Sequence, residues 1–224
     1  MGKEKKVLSI SAHWESESRA GGTLAKYIQR GFEVYIANMS YETKNEKEKE
    51  KRKAEAEEMA KILGVKMVFF DFPCFELKDD FSTKMCILNI IREIRPEIVF
   101  TLHAADPDSD HRAIASATLQ AVYLANNPSI ETERDPHSVL NIYSFEGRFE
   151  ASFRKPQNYV DISDTFEKKI SALGKESHFL PHEIEDVRLW NAFRGREVGV
   201  KFAEAFVRPK ISYQATNKAL DLLP

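Results

Sequence analysis

The sequence predicts an α/β fold, a Rossmann-like three-layer sandwich on a mainly parallel β-sheet. Three observations predict it. Short apolar runs rich in β-branched residues alternate with helical stretches, the signature of βαβ units. The chain has 224 residues, 42% hydrophobic and 11% aromatic, enough apolar material for one sizeable core. No internal repeat, low-complexity linker or composition break interrupts the alternation, so 1–224 reads as one domain with an irregular tail over 207–224.

The elements follow in order. Lys6-Val7-Leu8-Ser9-Ile10-Ser11 reads as a first strand, and a polar loop leads to Gly21-Gly22 and a helix through Leu24, Ala25, Tyr27 and Ile28, stopped by Gly31. Residues 32–39 form a second strand. The segment 46–63 is a charged helix whose acids and bases interleave at i,i+4 spacing, a solvated face ended by Gly64. The unit repeats as a strand at 65–71, a helix at 81–94, a strand at 97–102 and a helix at 111–125. Strands are further predicted at 139–145 and 158–162, and helices at 164–173 and 183–206.

Composition excludes several functions. With 33 Lys+Arg against 35 Asp+Glu, the formal charge of −2 gives no bulk attraction for nucleic acid or a membrane surface. No run approaches the roughly 18 apolar residues of a membrane span, and the start lacks a signal-peptide pattern. Cys74 and Cys86 stand in no metal or redox spacing and read as small core residues. A cytoplasmic protein with reduced thiols is expected.

Ligands of such sheets bind at the carboxyl ends of the parallel strands. Two loops there are rich in His and acids: Ser11-Ala12-His13-Trp14-Glu15-Ser16-Glu17-Ser18, and His103 through Arg112. If their strands are neighbours, imidazoles and carboxylates converge on a site suited to a transition-metal ion, with a carboxylate at hand to take a water proton. The bland alternatives are bystander histidines and, for Asp110, a helix cap. Gly21-Gly22 either approaches a ligand or packs a helix on the sheet. No GxGxxG or P-loop pattern occurs, which leaves no nucleotide motif.

Ala12-His13-Trp14-Glu15-Ser16-Glu17 followed by Gly21-Gly22-Thr23-Leu24-Ala25 resembles the AHPDDE…GGTLA signature of the LmbE-like, or PIG-L, deacetylases. The likeness continues in order through Arg52-Lys53-Ala54-Glu55-Ala56, Arg95-Pro96-Glu97, Asp110-His111-Arg112-Ala113, Val160-Asp161-Ile162-Ser163 and Ala203-Glu204-Ala205-Phe206. The resemblance implies zinc-dependent removal of an N-acyl group from an N-acetylglucosamine-type conjugate. It implies His13 and His111 as metal ligands, position 16 as the third, position 15 as general base, and the segment of Asp108 and Asp110 as catalytic. Trp14, Arg52 and Arg148 are candidate substrate contacts.

The departures fall on the chemistry. The family's base Asp is Glu15, its ligand Asp is Ser16, and the imidazole that stabilises the intermediate is Asp108. A hydroxyl is a poor zinc ligand, and Asp108 brings the wrong sign to a developing oxyanion. Glu15 or Glu17 can substitute as ligand, or Asp108 can join His13 and His111; Glu17 otherwise holds the loop. Trp14 either stacks on a sugar or fills the place of the family's Pro, and Arg52 either meets substrate or pairs with Glu48 or Glu55. His103 and Asp106 are further pocket candidates, while His137, His178 and His182 read as surface residues. Two functions remain: a metal-dependent N-deacetylase with a small-molecule partner, or a silent relative that binds a sugar-like ligand or a protein. The metal, whether zinc, another divalent ion or none, stays open, as does homo-oligomerisation.

Overall fold

The computed structural model describes residues 5–146, 156 and 158–209. Seven strands form one sheet: β1 (Lys6–Ser11), β2 (Glu33–Asn38), β3 (Lys66–Phe69), β4 (Ile98–Thr101), β5 (Asn141–Phe145), β6 (Asn158–Asp161) and β7 (Ala203–Val207). Their order is β3-β2-β1-β4-β5-β7-β6. The first five are parallel neighbours, and β7 alone runs against both β5 and β6. The alternation of strand and helix produces this arrangement, because a parallel pair needs a crossover and the crossover is a helix.

The helices of the described residues are α1 (Glu15–Gln29), α2 (Glu46–Leu63), α3 (Phe81–Ile94), α4 (Ser109–Ala125), α5 (Phe166–Leu173) and α6 (Pro181–Val198). They cover both faces, with α3 packed on α4 and with α1 and α2 packed on α5. β1 and β4 are buried almost throughout, as strands covered on both sides must be. The charged helix α2 buries only Ala56, Met59, Ala60 and Leu63, so its charge run is a solvated face, as predicted.

Local chemistry explains the boundaries. Asn45 and Asp80 cap α2 and α3 by accepting backbone N–H groups, and Gly64 closes α2 at φ 86°. Gly22 is a packing glycine: a Cβ there would stand 2.8 Å from Ile162 Cδ1. Two predicted boundaries are corrected. The helix expected over 183–206 ends at Val198, where Gly199 turns at φ 78°, and the chain returns as β7. The helix expected at 111 begins at Ser109, because Asp108, not Asp110, is its cap and accepts from the N–H groups of Asp110 and His111.

A buried polar knot ties the antiparallel end to the rest. Glu204 of β7 accepts from Gly22 N at 3.0 Å, Thr23 N at 2.7 Å and Lys169 Nζ at 2.7 Å. Lys169 also donates to Asn191 Oδ1 at 2.8 Å, and Asn191 donates to the Ala203 carbonyl at 3.0 Å. Burial lowers the Lys169 pKa, against the charge of Glu204 that holds it up. α1, α5, α6 and β7 are thereby fixed around the edge of the cavity described next.

Candidate metal centre and its cavity

β1 and β4 are adjacent and parallel, so the loops that follow them leave the same edge of the sheet. The strand order reverses direction between them, which makes this edge the switch point where α/β sheets bind ligands. The loop after β1 delivers His13 and the first turn of α1 delivers Glu15. The loop after β4 delivers Asp106, and the first turn of α4 delivers Asp110 and His111.

His13, Glu15 and His111 are buried and offer ligand atoms within 4.8 Å of one another. Glu15 Oε1 lies 3.5 Å from His13 Nδ1 and 3.1 Å from His111 Nε2, while Oε2 accepts the His13 backbone N–H at 3.0 Å. Ligands about 2.1 Å from a tetrahedral ion stand about 3.4 Å apart, so the spacing of these donors fits a divalent transition metal. Each imidazole has a carboxylate near its other nitrogen: His111 Nδ1 is 3.0 Å from Asp106 Oδ1, and His13 Nε2 is 3.5 Å from Asp110 Oδ2, an ion-pair distance without a hydrogen bond. That arrangement orients ligating histidines. Asp106 is held in turn by Arg19 Nη1 at 3.1 Å and by the Asp108 N–H at 3.0 Å.

The charges reinforce one another. Burial works against a charged His111, but Asp106 and Glu15 outweigh it and push its pKa up to about 10. Burial likewise opposes the Glu15 carboxylate, yet His111 and His13 hold it well below the usual range. Asp106 is drawn down to about 2, its burial outweighed by His111, the Asp108 N–H and Arg19.

Other sequence candidates fall differently. Ser16 is fully buried, with its hydroxyl 2.8 Å from Ser9 Oγ and 3.0 Å from Ser11 Oγ, so it faces β1 and is absent from the His13–Glu15–His111 group. Asp108 spends Oδ1 on the α4 cap, at 2.7 Å from Asp110 N, and neither imidazole is among its partners. Asp110 also accepts the Phe75 N–H at 2.7 Å. Trp14 lines the cavity, its ring 5.4 Å from that of His178 and 6.5 Å from that of Tyr41. Arg52 lines it too, pairing with Glu42 at 3.2 Å and Glu48 at 3.4 Å rather than with Glu55. Arg148 lies outside the described residues.

His178, expected on the surface, is half-buried in the cavity wall, which corrects that reading; His182 lines the rim and is exposed as expected. His178 is brought there by the connection between α5 and α6, and burial pulls its pKa down to about 4. His103 accepts the Ala105 N–H at 3.1 Å and is not a wall residue. Glu17 is buried in the first turn of α1, and burial pushes its pKa up to about 8 against its own backbone N–H and Asn38. Sequence reasoning missed Phe75, Glu176 and the α6 residues Trp190 and Arg194. No motif marks Phe75, Glu176 or Trp190, whereas Arg194 opens the Arg194-Gly195 pair that resembles the family near the end of the chain.

The cavity holds about 1270 Å³ and runs from Glu15 and His111 to α6. Among the described residues its arginines are Arg19, Arg52 and Arg194, each already paired with a wall acid, respectively Asp106, Glu42 and Glu146.

Residues 8–122 match the PIG-L family, described as GlcNAc-PI de-N-acetylase. The chain is 27% identical to the diacetylchitobiose deacetylase of Thermococcus kodakarensis, over 89% of this chain and 81% of that protein. It is 25% identical to the 4-oxalmesaconate hydratase of Pseudomonas putida, over 76% of this chain and 72% of that one. Among solved structures, the N,N'-diacetylchitobiose deacetylase of Pyrococcus horikoshii superposes with a TM-score of 0.80 at 27% identity, covering 91% of this chain and 83% of that one. The conserved protein TT1542 of Thermus thermophilus gives 0.82 at 27% identity, over 95% and 99%.

Proposed function

This chain belongs to the PIG-L family, and from that premise we propose that it is a metal-dependent amide hydrolase that removes an N-acyl group from an amino-sugar conjugate. The observation that carries the reading is the convergence of two imidazoles, each with a carboxylate near its other nitrogen, and Glu15 at the cavity floor. His13 and His111 would hold a divalent ion, zinc being suited to imidazole donors, with Glu15 beside them left to serve as the base. Such an ion, when bound, polarises a carbonyl and lowers the pKa of water toward about 7.

The remaining work belongs to the chain. Glu15 takes the proton of the attacking water at Oε1 and returns it to the leaving amine. Asp106 and Asp110 position the two imidazoles, and Asp108 keeps the α4 turn that presents His111. Trp14 and Arg52 shape the sugar end of the cavity, and Arg148 belongs to the proposed substrate contacts. With every described wall arginine neutralised by an acid, the cavity suits a neutral sugar amide and its cationic amine product better than a carboxylate such as the hydratase's substrate. Among the described residues no helix is long and apolar enough to cross a membrane; a cytoplasmic small-molecule reaction, by a monomer or a homo-oligomer, is part of this proposal.

A second reading, a silent binder, is favoured by Ser16 facing β1 and by Asp108 serving as a cap. One experiment separates the two. Chelator-stripped protein is reloaded with zinc, manganese or cobalt, and amine release from N-acetylglucosamine and N,N'-diacetylchitobiose is measured alongside metal content. Release that requires metal and falls at least 100-fold in Glu15→Gln is expected. Tight metal binding with no amine release from either sugar overturns the hydrolase in favour of the binder.

A further inference from the structure

The cavity extends well beyond the cluster to a far wall on α6, where Val187, Leu189, Trp190 and Phe193 stand among Glu183, Asp186 and Arg194. On α6, the Trp190 and Phe193 rings lie 5.5 Å apart at 30°. The Arg194 guanidinium packs 4.8 Å from the Trp190 centroid and 5.2 Å from that of Phe193. Glu146 fixes this stack, accepting Arg194 Nε at 2.8 Å and the Trp190 indole N–H at 3.1 Å. The result is a rigid aromatic shelf whose Phe193 remains 50% exposed.

A second aromatic joins the wall from the connection between β3 and α3. Phe75 is 70% exposed and sits at φ 60°, a left-handed conformation that strains a non-glycine residue. Its N–H is tethered to Asp110 Oδ2, the carboxylate behind His13. A phenyl ring left in water adds nothing to the core, yet the backbone is strained to hold it at the cavity. The volume, about 1270 Å³, also exceeds the roughly 300–1,000 Å³ of ordinary ligand pockets.

We propose that Phe75 and the Trp190–Phe193 shelf form an aglycone subsite, so that the conjugate carries a flat, apolar-faced ring beside its acylated amino sugar. The inference rests on the amino-sugar reading above and names the other half of its substrate. Aromatic faces gain from ring contact and desolvation, and this shelf loses little entropy on binding because its partners already hold it.

The test is equilibrium binding by calorimetry to the metal-loaded protein, with glucosamine and phenyl β-glucosaminide as probes. Wild type is expected to bind the phenyl glycoside at least tenfold more tightly. Phe75→Ala and Phe193→Ala, both at exposed side chains, should each cut that ratio to threefold or less with glucosamine affinity unchanged. A ratio near one in wild type, or one untouched by both variants, overturns the subsite and leaves the amino-sugar reading standing. Binding of neither probe overturns both. Sedimentation of the same variants covers the rival occupant: dissociation of an oligomer by Phe193→Ala with the phenyl preference intact assigns the shelf to a second copy of this chain and overturns the proposal.

Discussion

Replacing Glu176 with glutamine should stabilise the protein, and more so as pH rises. Glu176 lies between α5 and α6, 2% exposed, and neither carboxyl oxygen completes a hydrogen bond among the described residues. His178 Nε2 lies 3.3 Å from its Oε2, on an imidazole that burial keeps neutral. Burial first, and the charges of Glu17 and Glu55 after it, push the Glu176 pKa up to about 10 from a usual 4.5. The folded protein therefore keeps this proton at neutrality while the unfolded chain loses it. A carboxyl with a raised folded pKa costs stability once pH exceeds the unfolded value, and the cost grows by about 1.4 kcal/mol per unit. At pH 7, some 2.5 units above the usual value, it reaches about 3 kcal/mol. Glutamine matches the shape of the protonated acid and does not titrate. Urea denaturation of both proteins at pH 4.5, 6 and 7 should give differences near zero, about 2 and about 3 kcal/mol in favour of the variant. A difference independent of pH, or a variant less stable throughout, would refute the reasoning, because Glu176 would then be ionised and paired in the fold.

Three more outcomes are expected. Asp106→Asn should weaken metal binding 10–100-fold in a chelator competition titration by removing the charge that orients His111; an unchanged affinity would mean that His111 needs no backing carboxylate. Ser16→Ala should leave metal affinity within twofold while costing about 1 kcal/mol of stability, since the hydroxyl bonds Ser9 and Ser11; a tenfold loss of metal would return Ser16 to the ligand set. Lys169→Met should cost about 3–5 kcal/mol in chemical denaturation by stranding the buried Glu204, and adding Glu204→Gln should recover part of that loss; no recovery would show that packing, not charge, set the cost.

The sequence by itself determined the elements whose causes are local. The charged helix α2 matched its predicted span, Glu46–Leu63, because an Asn cap, interleaved charges and a left-handed glycine all act within a few residues. The strands that build the switch point announced themselves as apolar runs, and His13, Glu15 and His111 stood out because they hold positions of the family's motifs in the segments that follow those strands. Only the tertiary structure decided what depends on partners far apart in the chain. β7 continued an apolar pattern that local reading extends as helix, and its strand character comes from β5, β6 and the bonds Glu204 makes to Gly22 and Thr23. Ser16 kept the family's ligand position in sequence, but hydroxyls on β1 claim its side chain. His178 looked like a surface residue until the turn between α5 and α6 folded it against Trp14. The physical reason is the same in each case: caps and periodicity are settled over one or two turns of chain, whereas burial, charge pairing and metal geometry depend on which distant atoms packing brings within a few ångströms.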